Sequence, residues 1–108
     1  MKRDPEIMFT FIACADLKRI CEWIATSADR WGGTVAENRT AADQFAHRFS
    51  HHCELLAENP EVGSPRPELS SGIRSSSFER HVVFYRVRGE HLEVLRVLPA
   101  AKDAAATA

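Results

Sequence analysis

His81-Val82-Val83-Phe84-Tyr85-Arg86-Val87-Arg88, then Gly89-Glu90, then Leu92-Glu93-Val94-Leu95-Arg96-Val97-Leu98, is the stretch that decides the fold. Both runs are rich in β-branched and aromatic residues and have the length of strands. Glycine at the first position of the Gly89-Glu90 break suits a two-residue type II′ turn, whose twist matches a hairpin. Both strands are apolar on both faces. One layer of helices covers one face, so either the sheet curls over its own side chains or a second chain completes the other. With one face uncovered, the isolated chain is expected to be poorly soluble or partly dimeric. Just upstream, residues 73–78 form another strand candidate, polar in its middle. The break at Glu79-Arg80 carries no good turn chemistry.

The N-terminal half supplies the helices. Residues 7–12, Ile-Met-Phe-Thr-Phe-Ile, read as a short buried strand. Leu17, Ile20, Cys21 and Ile24 recur at i, i+3, i+4 and i+7, the stripe of an amphipathic helix over 16–25. Ala13-Cys14-Ala15 offers that helix no capping oxygen. Residues 26–40, centred on Gly32-Gly33, break the pattern. A second helix opens at Thr40-Ala41-Ala42-Asp43, a capping-box-like start with Asp in place of Glu. Its stripe is Ala41, Ala42, Phe45, Phe49, Cys53 and Leu56, and it stops at Asn59-Pro60. Residues 60–72, rich in Pro, Gly and Ser, read as an extended surface connection. The tail 102–108 is helix-prone but too short to hold a helix alone. The result is an α+β fold: a helical hairpin packed on a small, mainly antiparallel curved sheet, in the order β-α-α-β-β-β with a short C-terminal helical tail.

Composition narrows the function classes. The 108 residues are 44% hydrophobic and 27% charged, with a formal net charge of −1. That excludes a disordered, collagen-like or disulfide-scaffold chain, and argues against a two-domain cofactor enzyme. One domain is expected over 1–108, with its core at about 7–103. No global basic field exists to hold nucleic acid. The charge is nevertheless divided. Residues 1–65 carry seven Lys or Arg against ten Asp or Glu, and residues 66–108 carry seven against five. Cys14, Cys21 and Cys53 are an odd count, and on one helix Cys14 and Cys21 would stand about 10 Å apart, beyond disulfide reach. Met1-Lys2-Arg3-Asp4-Pro5-Glu6 carries both signs of charge and precedes an apolar run too short for a signal peptide or a membrane span. A reducing cytoplasm is expected.

Several stretches together resemble the ParE/RelE superfamily of bacterial toxins, in its ParE-like branch. They are Asn59-Pro60-Glu61-Val62-Gly63-Ser64-Pro65-Arg66-Pro67-Glu68-Leu69, Ser71-Gly72-Ile73-Arg74-Ser75, Arg80 to Val87, Leu92 to Leu98, and Lys102-Asp103. Ala15-Asp16-Leu17 with Ile20, Trp23-Ile24-Ala25 and the helix from Ala42 to Leu56 extend the likeness through the N-terminal half. The resemblance implies the toxin of a type II toxin–antitoxin pair. It implies a small ParD-like antitoxin that wraps the toxin with a helix and an extended tail, giving a hetero-oligomer. ParE-like members are associated with poisoning DNA gyrase, while relatives of the same fold are ribosome-dependent messenger RNA nucleases. Two features depart from the pattern. Pro99 stands where many members carry histidine, and Trp31 to Arg39 lengthens the link between the helices.

Metal-free RNA cleavage needs a base, an acid and cations for the phosphorane. Arg74, Arg86 and Arg96 supply charge, and Tyr85 or His81 supplies a proton carrier; a ribonuclease would use Arg74, Tyr85, Arg96 and His81. Pro99 removes the usual histidine and the strands hold no lysine; together with the ParE-like resemblance, which implies gyrase as the target, this makes a non-enzymatic toxin acting on gyrase by protein contact the leading expectation. The ribosome-dependent endonuclease is the alternative, and a degenerate toxin that only binds its antitoxin is the second. Arginine's fork suits carboxylates, which marks Arg74, Arg86 and Arg96, with Trp31 as a surface anchor, as antitoxin- or target-binding candidates. His47, His51, His52 and Cys53 lie close together in sequence. Only His47 and His51 share a face, short of the ligands zinc requires. No cofactor, no metal, no membrane contact and no sequence-specific nucleic-acid binding by the toxin alone are expected.

Overall fold

The hairpin of the opening stretch is the centre of the sheet. Strands β4 (His81–Arg88) and β5 (His91–Pro99) pair antiparallel through a two-residue turn in which Gly89 takes φ 62°, as a type II′ turn requires. The computed structural model describes residues 6–27 and 35–101. Around the hairpin the chain forms β1 (Ile7–Phe9), α1 (Phe11–Ala25), α2 (Val35–Glu58), a short 3-10 turn (Pro60–Val62), β2 (Ser64–Pro65) and β3 (Arg74–Phe78). The strand order is β1-β5-β4-β3-β2, with β1 parallel to β5 and the other pairs antiparallel. The architecture is the expected α+β one, two helices on one face of the sheet. The stretch read as an extended connection contributes β2 to its edge.

Two boundaries differ from the sequence reading. The first strand ends at Phe9, and Phe11 and Ile12 open α1 instead of extending the strand. The cause is Thr10: its hydroxyl accepts from the Ala13 N–H at 3.0 Å and donates to the Leu95 carbonyl at 2.8 Å. It is the capping oxygen that Ala13-Cys14-Ala15 lacks. Phe11 is consequently 90% exposed. The second helix begins at Val35, five residues before Thr40, which lies inside it. Glu37 in its first turn complements the helix dipole. Trp31 and the tail 102–108 lie outside the described residues.

The apolar stripes do the packing assigned to them. Phe45, Phe49, Cys53 and Leu56 of α2 are buried against Val83, Tyr85, Leu92, Val94 and Val97 of the sheet, with Leu17, Ile20, Cys21 and Ile24 of α1 packed beside them. Each large side chain so buried contributes roughly 2 kcal/mol. Phe78 meets Phe45 and Phe49 edge-on, at 5.6 and 5.5 Å.

The other face of β4 is covered within the chain. Phe84 is 5% exposed because the Arg66 guanidinium lies 5.1 Å above its ring. Arg66 is held there by Glu68 at 2.6 Å and by Ser75 at 3.2 Å.

One edge needs a special device. β1 pairs with β5 only at Leu92, Glu93 and Val94, and Leu95 is then an extra residue in the ladder, since Tyr85 faces Val94 and Phe84 faces Arg96. Past this bulge β5 has no strand on its β1 side among the described residues, and α1 takes over there. The Asp16 carboxylate accepts from the Val97 N–H at 3.0 Å and from Arg96 at 2.8 and 3.1 Å. Asp16 is 1% exposed. Burial alone would raise its pKa. The hydrogen bonds from Arg96 and Val97, with the charges of Arg96 and Arg19, outweigh that and hold it below its ordinary value.

Candidate interaction surfaces

The arginines singled out in the sequence are dispersed. Arg74 lies opposite Tyr85 on the helix-covered face, where its Nη1 donates to the Gly63 carbonyl at 2.7 Å and the Glu61 carbonyl at 3.3 Å. The Tyr85 hydroxyl donates to the Pro60 carbonyl at 2.7 Å and accepts from the Gly63 N–H at 3.0 Å. Burial pushes the Tyr85 phenol up, against the opposing pull of the Gly63 N–H and the Arg74 charge. Its hydroxyl is thus occupied in both directions, holding the Pro60–Gly63 segment on the sheet. Arg86 pairs with Glu93 at 2.7 Å, and Arg88 approaches the same carboxylate at 3.5 Å. Arg96 is committed to Asp16. Arg74, Arg86, Tyr85 and Glu61 line one concavity of about 410 Å³. His81 sits at the opposite end of β4, about 13 Å along the strand from Tyr85. The four groups an RNA-cleaving site would use are therefore not brought together.

A larger groove, about 620 Å³, opens at the His81 end, between α1, the start of α2 and the close of the β4–β5 hairpin. Ile20, Trp23, Ile24, Phe45 and Val97 give it apolar walls, and Trp23 is 55% exposed. Arg19, Arg48 and Arg80 stand around it with Asp16 and Glu79. Arg48 is paired with Glu79 at 2.8 Å. Arg80 makes no ion pair among the described residues. Glu79 begins the β3–β4 turn at φ 55°, a left-handed conformation that favours glycine. His81 stacks edge-on against Phe45 at 5.7 Å, and its Nδ1 is buried without a hydrogen-bond partner among the described residues. Burial pushes the His81 pKa down and Glu79 opposes the shift, with burial the larger effect. His81 thus lines the groove as a neutral ring.

The helix histidines form no metal-holding group among the described residues. His52 shares a 3.0 Å hydrogen bond with Ser76, His51 stands 3.8 Å from Glu54, and Cys53 is buried. Burial, with Glu54 nearby, pushes the Cys53 thiol up to about 12, far from a metal-binding thiolate.

The sequence reading passed over Asp16, Arg19, Trp23, Arg48 and Arg80 as a group. Asp16 carried a signal. It falls with Ala13, Leu17, Ile20 and Ile24 on the core-facing side of α1, and a carboxylate in an apolar stripe requires a buried partner. The others are brought together by α1, α2 and the β3–β4 turn, which no local pattern relates.

Comparison with known proteins follows the same outline. Residues 7–104 match the family described as "ParE toxin of type II toxin-antitoxin system, parDE". The chain is 38% identical over 94 residues to "Toxin ParE1" of Caulobacter vibrioides, covering 87% of this chain and 88% of that protein. It is 37% identical over 76 residues to "Toxin ParE1" of Mycobacterium tuberculosis, covering 69% of this chain and 71% of that one. Its fold is similar, at a TM-score of 0.64 and 19% identity, to a chain of "Chromosomal ParDE TA system from P. aeruginosa", over 89% of this chain and 96% of that one.

Proposed function

Since the chain belongs to the ParE toxin family of type II toxin–antitoxin systems, we propose that it arrests growth by binding a DNA topoisomerase, gyrase, and that a ParD-like antitoxin encoded with it neutralises it. The family match over residues 7–104 carries this reading. The geometry supports a non-catalytic mode of action. Proton transfer in RNA cleavage requires an acid and a base within hydrogen-bond reach of one phosphate. Tyr85, the proton carrier beside Arg74, instead has its hydroxyl bound to Pro60 and Gly63. Contact with a protein asks for exposed apolar anchors and charge: the larger groove has exposed Trp23 with Arg19 and Arg80, and the smaller concavity has the Arg74 guanidinium, bonded only to uncharged carbonyls. Arg74 and Arg86 act as contact residues at the smaller one. Arg96 acts through Asp16, as the residue that fixes α1 on the sheet.

A supercoiling assay with purified gyrase and the purified chain tests the proposal. Inhibition that the co-encoded antitoxin relieves is the expected result. Unimpaired supercoiling, together with ribosome-dependent cleavage of messenger RNA, overturns it. Among the described residues no helix is long and apolar enough to cross a membrane.

A further inference from the structure

We propose that the seam joining α2 to the end of β3 is an acid-released latch: protonation of His52 and His81, the two imidazoles beside Phe78, lifts the end of β3 and the β3–β4 turn off the helix. The latch does not depend on what the chain binds.

Phe78 closes the seam. It meets Phe45 and Phe49 of α2 edge-on, at 5.6 and 5.5 Å. One imidazole comes to it from the helix and one from the sheet. The ring of His52 on α2 lies 5.0 Å from that of Phe78, and its Nε2 shares a 3.0 Å hydrogen bond with the Ser76 hydroxyl on β3. His81 faces Phe78 across the β3–β4 ladder, and its ring reaches Phe45 of the helix at 5.7 Å.

The end of β3 has little else to hold it. β2 pairs only with Arg74 and Ser75. From Ser76 to Phe78 the strand has β4 on one side and no strand on the other among the described residues. Beyond it comes Glu79 at φ 55°. A short edge with few neighbours opens at lower cost than the centre of a sheet.

A proton on either ring finds no free carboxylate. The recess beside His52 is lined by His47, Arg48, His51, Leu55 and Phe78. Glu54, on the same helix, stands 3.8 Å from His51. Around His81 are Asp16 and Arg19 of α1, Arg48 of α2, and Glu79 and Arg80 of the turn. Asp16 already accepts from Arg96, and Glu79 from Arg48. The His81 Nδ1 is buried without a hydrogen-bond partner among the described residues. The fold therefore favours both rings neutral. Burial holds both below the ordinary 6.5, with Glu79 opposing it at His81. The opened chain takes up these protons more readily than the closed one. The seam is thus intact above 6.5 and weakens as pH falls from there through the folded values. Asp16 titrates below 3.8, outside that window.

Amide hydrogen exchange of the full chain, read as protection factors at about pH 7.5 and about pH 5, tests the latch. The amides of Ser76 and Phe78 are expected to lose at least about tenfold in protection on acidification. Their exchange at the lower pH should be insensitive to sub-denaturing urea, the mark of an opening that exposes little surface. The double variant His52→Gln, His81→Phe keeps a ring at 81 and a hydrogen-bonding group at 52 but takes up no proton at either. It should lose less than about twofold. A melting curve at neutral pH verifies that it folds, and the comparison of the parent at two pH values stands without it. Equal protection at the two pH values overturns the proposal. So does a loss that rises with urea, which is unfolding of the whole domain. Greater protection in acid also overturns it, because the attraction of an imidazolium for the phenylalanine rings then outweighs its burial. A double variant that loses as much as the parent assigns the proton to another group and overturns it as well.

Discussion

The two ends of β4 belong to one strand and treat their polar groups in opposite ways. At the Tyr85 end, the inward-facing hydroxyl and the Arg74 guanidinium are satisfied by the backbone of residues 60–63. At the His81 end, a ring nitrogen is buried without a partner among the described residues, Glu79 is held at φ 55°, and apolar walls stand open. Polar groups left unsatisfied and backbone held in a sparsely populated region cluster where a protein keeps surface for another molecule. The first end is closed over by the chain's own backbone; the second stands open.

The comparison requires α1 to be locked onto the sheet, since the groove at the open end has α1 as one wall. Asp16→Ala attacks that lock and has the largest expected effect. It leaves the Val97 N–H and the Arg96 guanidinium without their buried carboxylate, which destabilises by about 3 kcal/mol. Urea unfolding measures it, and a change under about 1 kcal/mol would show that α1 is held by its apolar stripe alone. The pH dependence has a definite sign. The folded pKa of Asp16 lies below its ordinary value of 3.8. The stabilisation is therefore complete above that value and is lost as pH falls through the folded pKa. The gap between parent and Asp16→Ala should be constant near neutrality and close in strong acid.

Next in size is Gly63→Ala at the satisfied end. A Cβ there would run into the Tyr85 hydroxyl and come within 2.9 Å of the Ser75 carbonyl. The backbone carbonyl cannot give way, so the expected loss is about 2–3 kcal/mol. Tyr85→Phe removes the hydroxyl that bridges Pro60 and Gly63 and should cost about 1–2 kcal/mol. Combining the two changes should cost less than their sum, because removing the hydroxyl relieves the closest collision. Additive losses in a double-mutant cycle would mean that residues 60–63 are not seated on Tyr85.

The sequence legibly carried what local pattern controls. The stripe Phe45, Phe49, Cys53, Leu56 and the glycine of the Gly89-Glu90 turn each have a periodic or conformational signature, and each lies where that signature places it. The start of α1 was hidden because Phe11 and Ile12 continue an apolar run, while the group that decides the boundary, the Thr10 hydroxyl, is fixed partly by Leu95 at the far end of the chain. Asp16 and Arg96 are 80 residues apart, and only the bulge at Leu95 brings them into register. The groove is illegible for the same reason: α1, α2 and the β3–β4 turn meet there only in the folded chain.

The smallest effect concerns Glu79, where the comparison is most easily sharpened. The β3–β4 turn has two residues, and its first is held at φ 55°, a conformation that costs a non-glycine residue about 1 kcal/mol. The ion pair with Arg48 at 2.8 Å offsets part of this, yet both side chains are well exposed, and such pairs contribute at most about 1 kcal/mol. Glu79→Gly relieves the strain and forfeits the pair, so the expected net change is a stabilisation of about 0.5 kcal/mol, read as a small rise in Tm. Glu79→Gln keeps the strain and loses the charge, and should be slightly destabilising. If both variants lose stability equally, the ion pair dominates and the turn is not strained. If only Glu79→Gly gains, the unfavourable turn is retained at the open end for a reason other than folding.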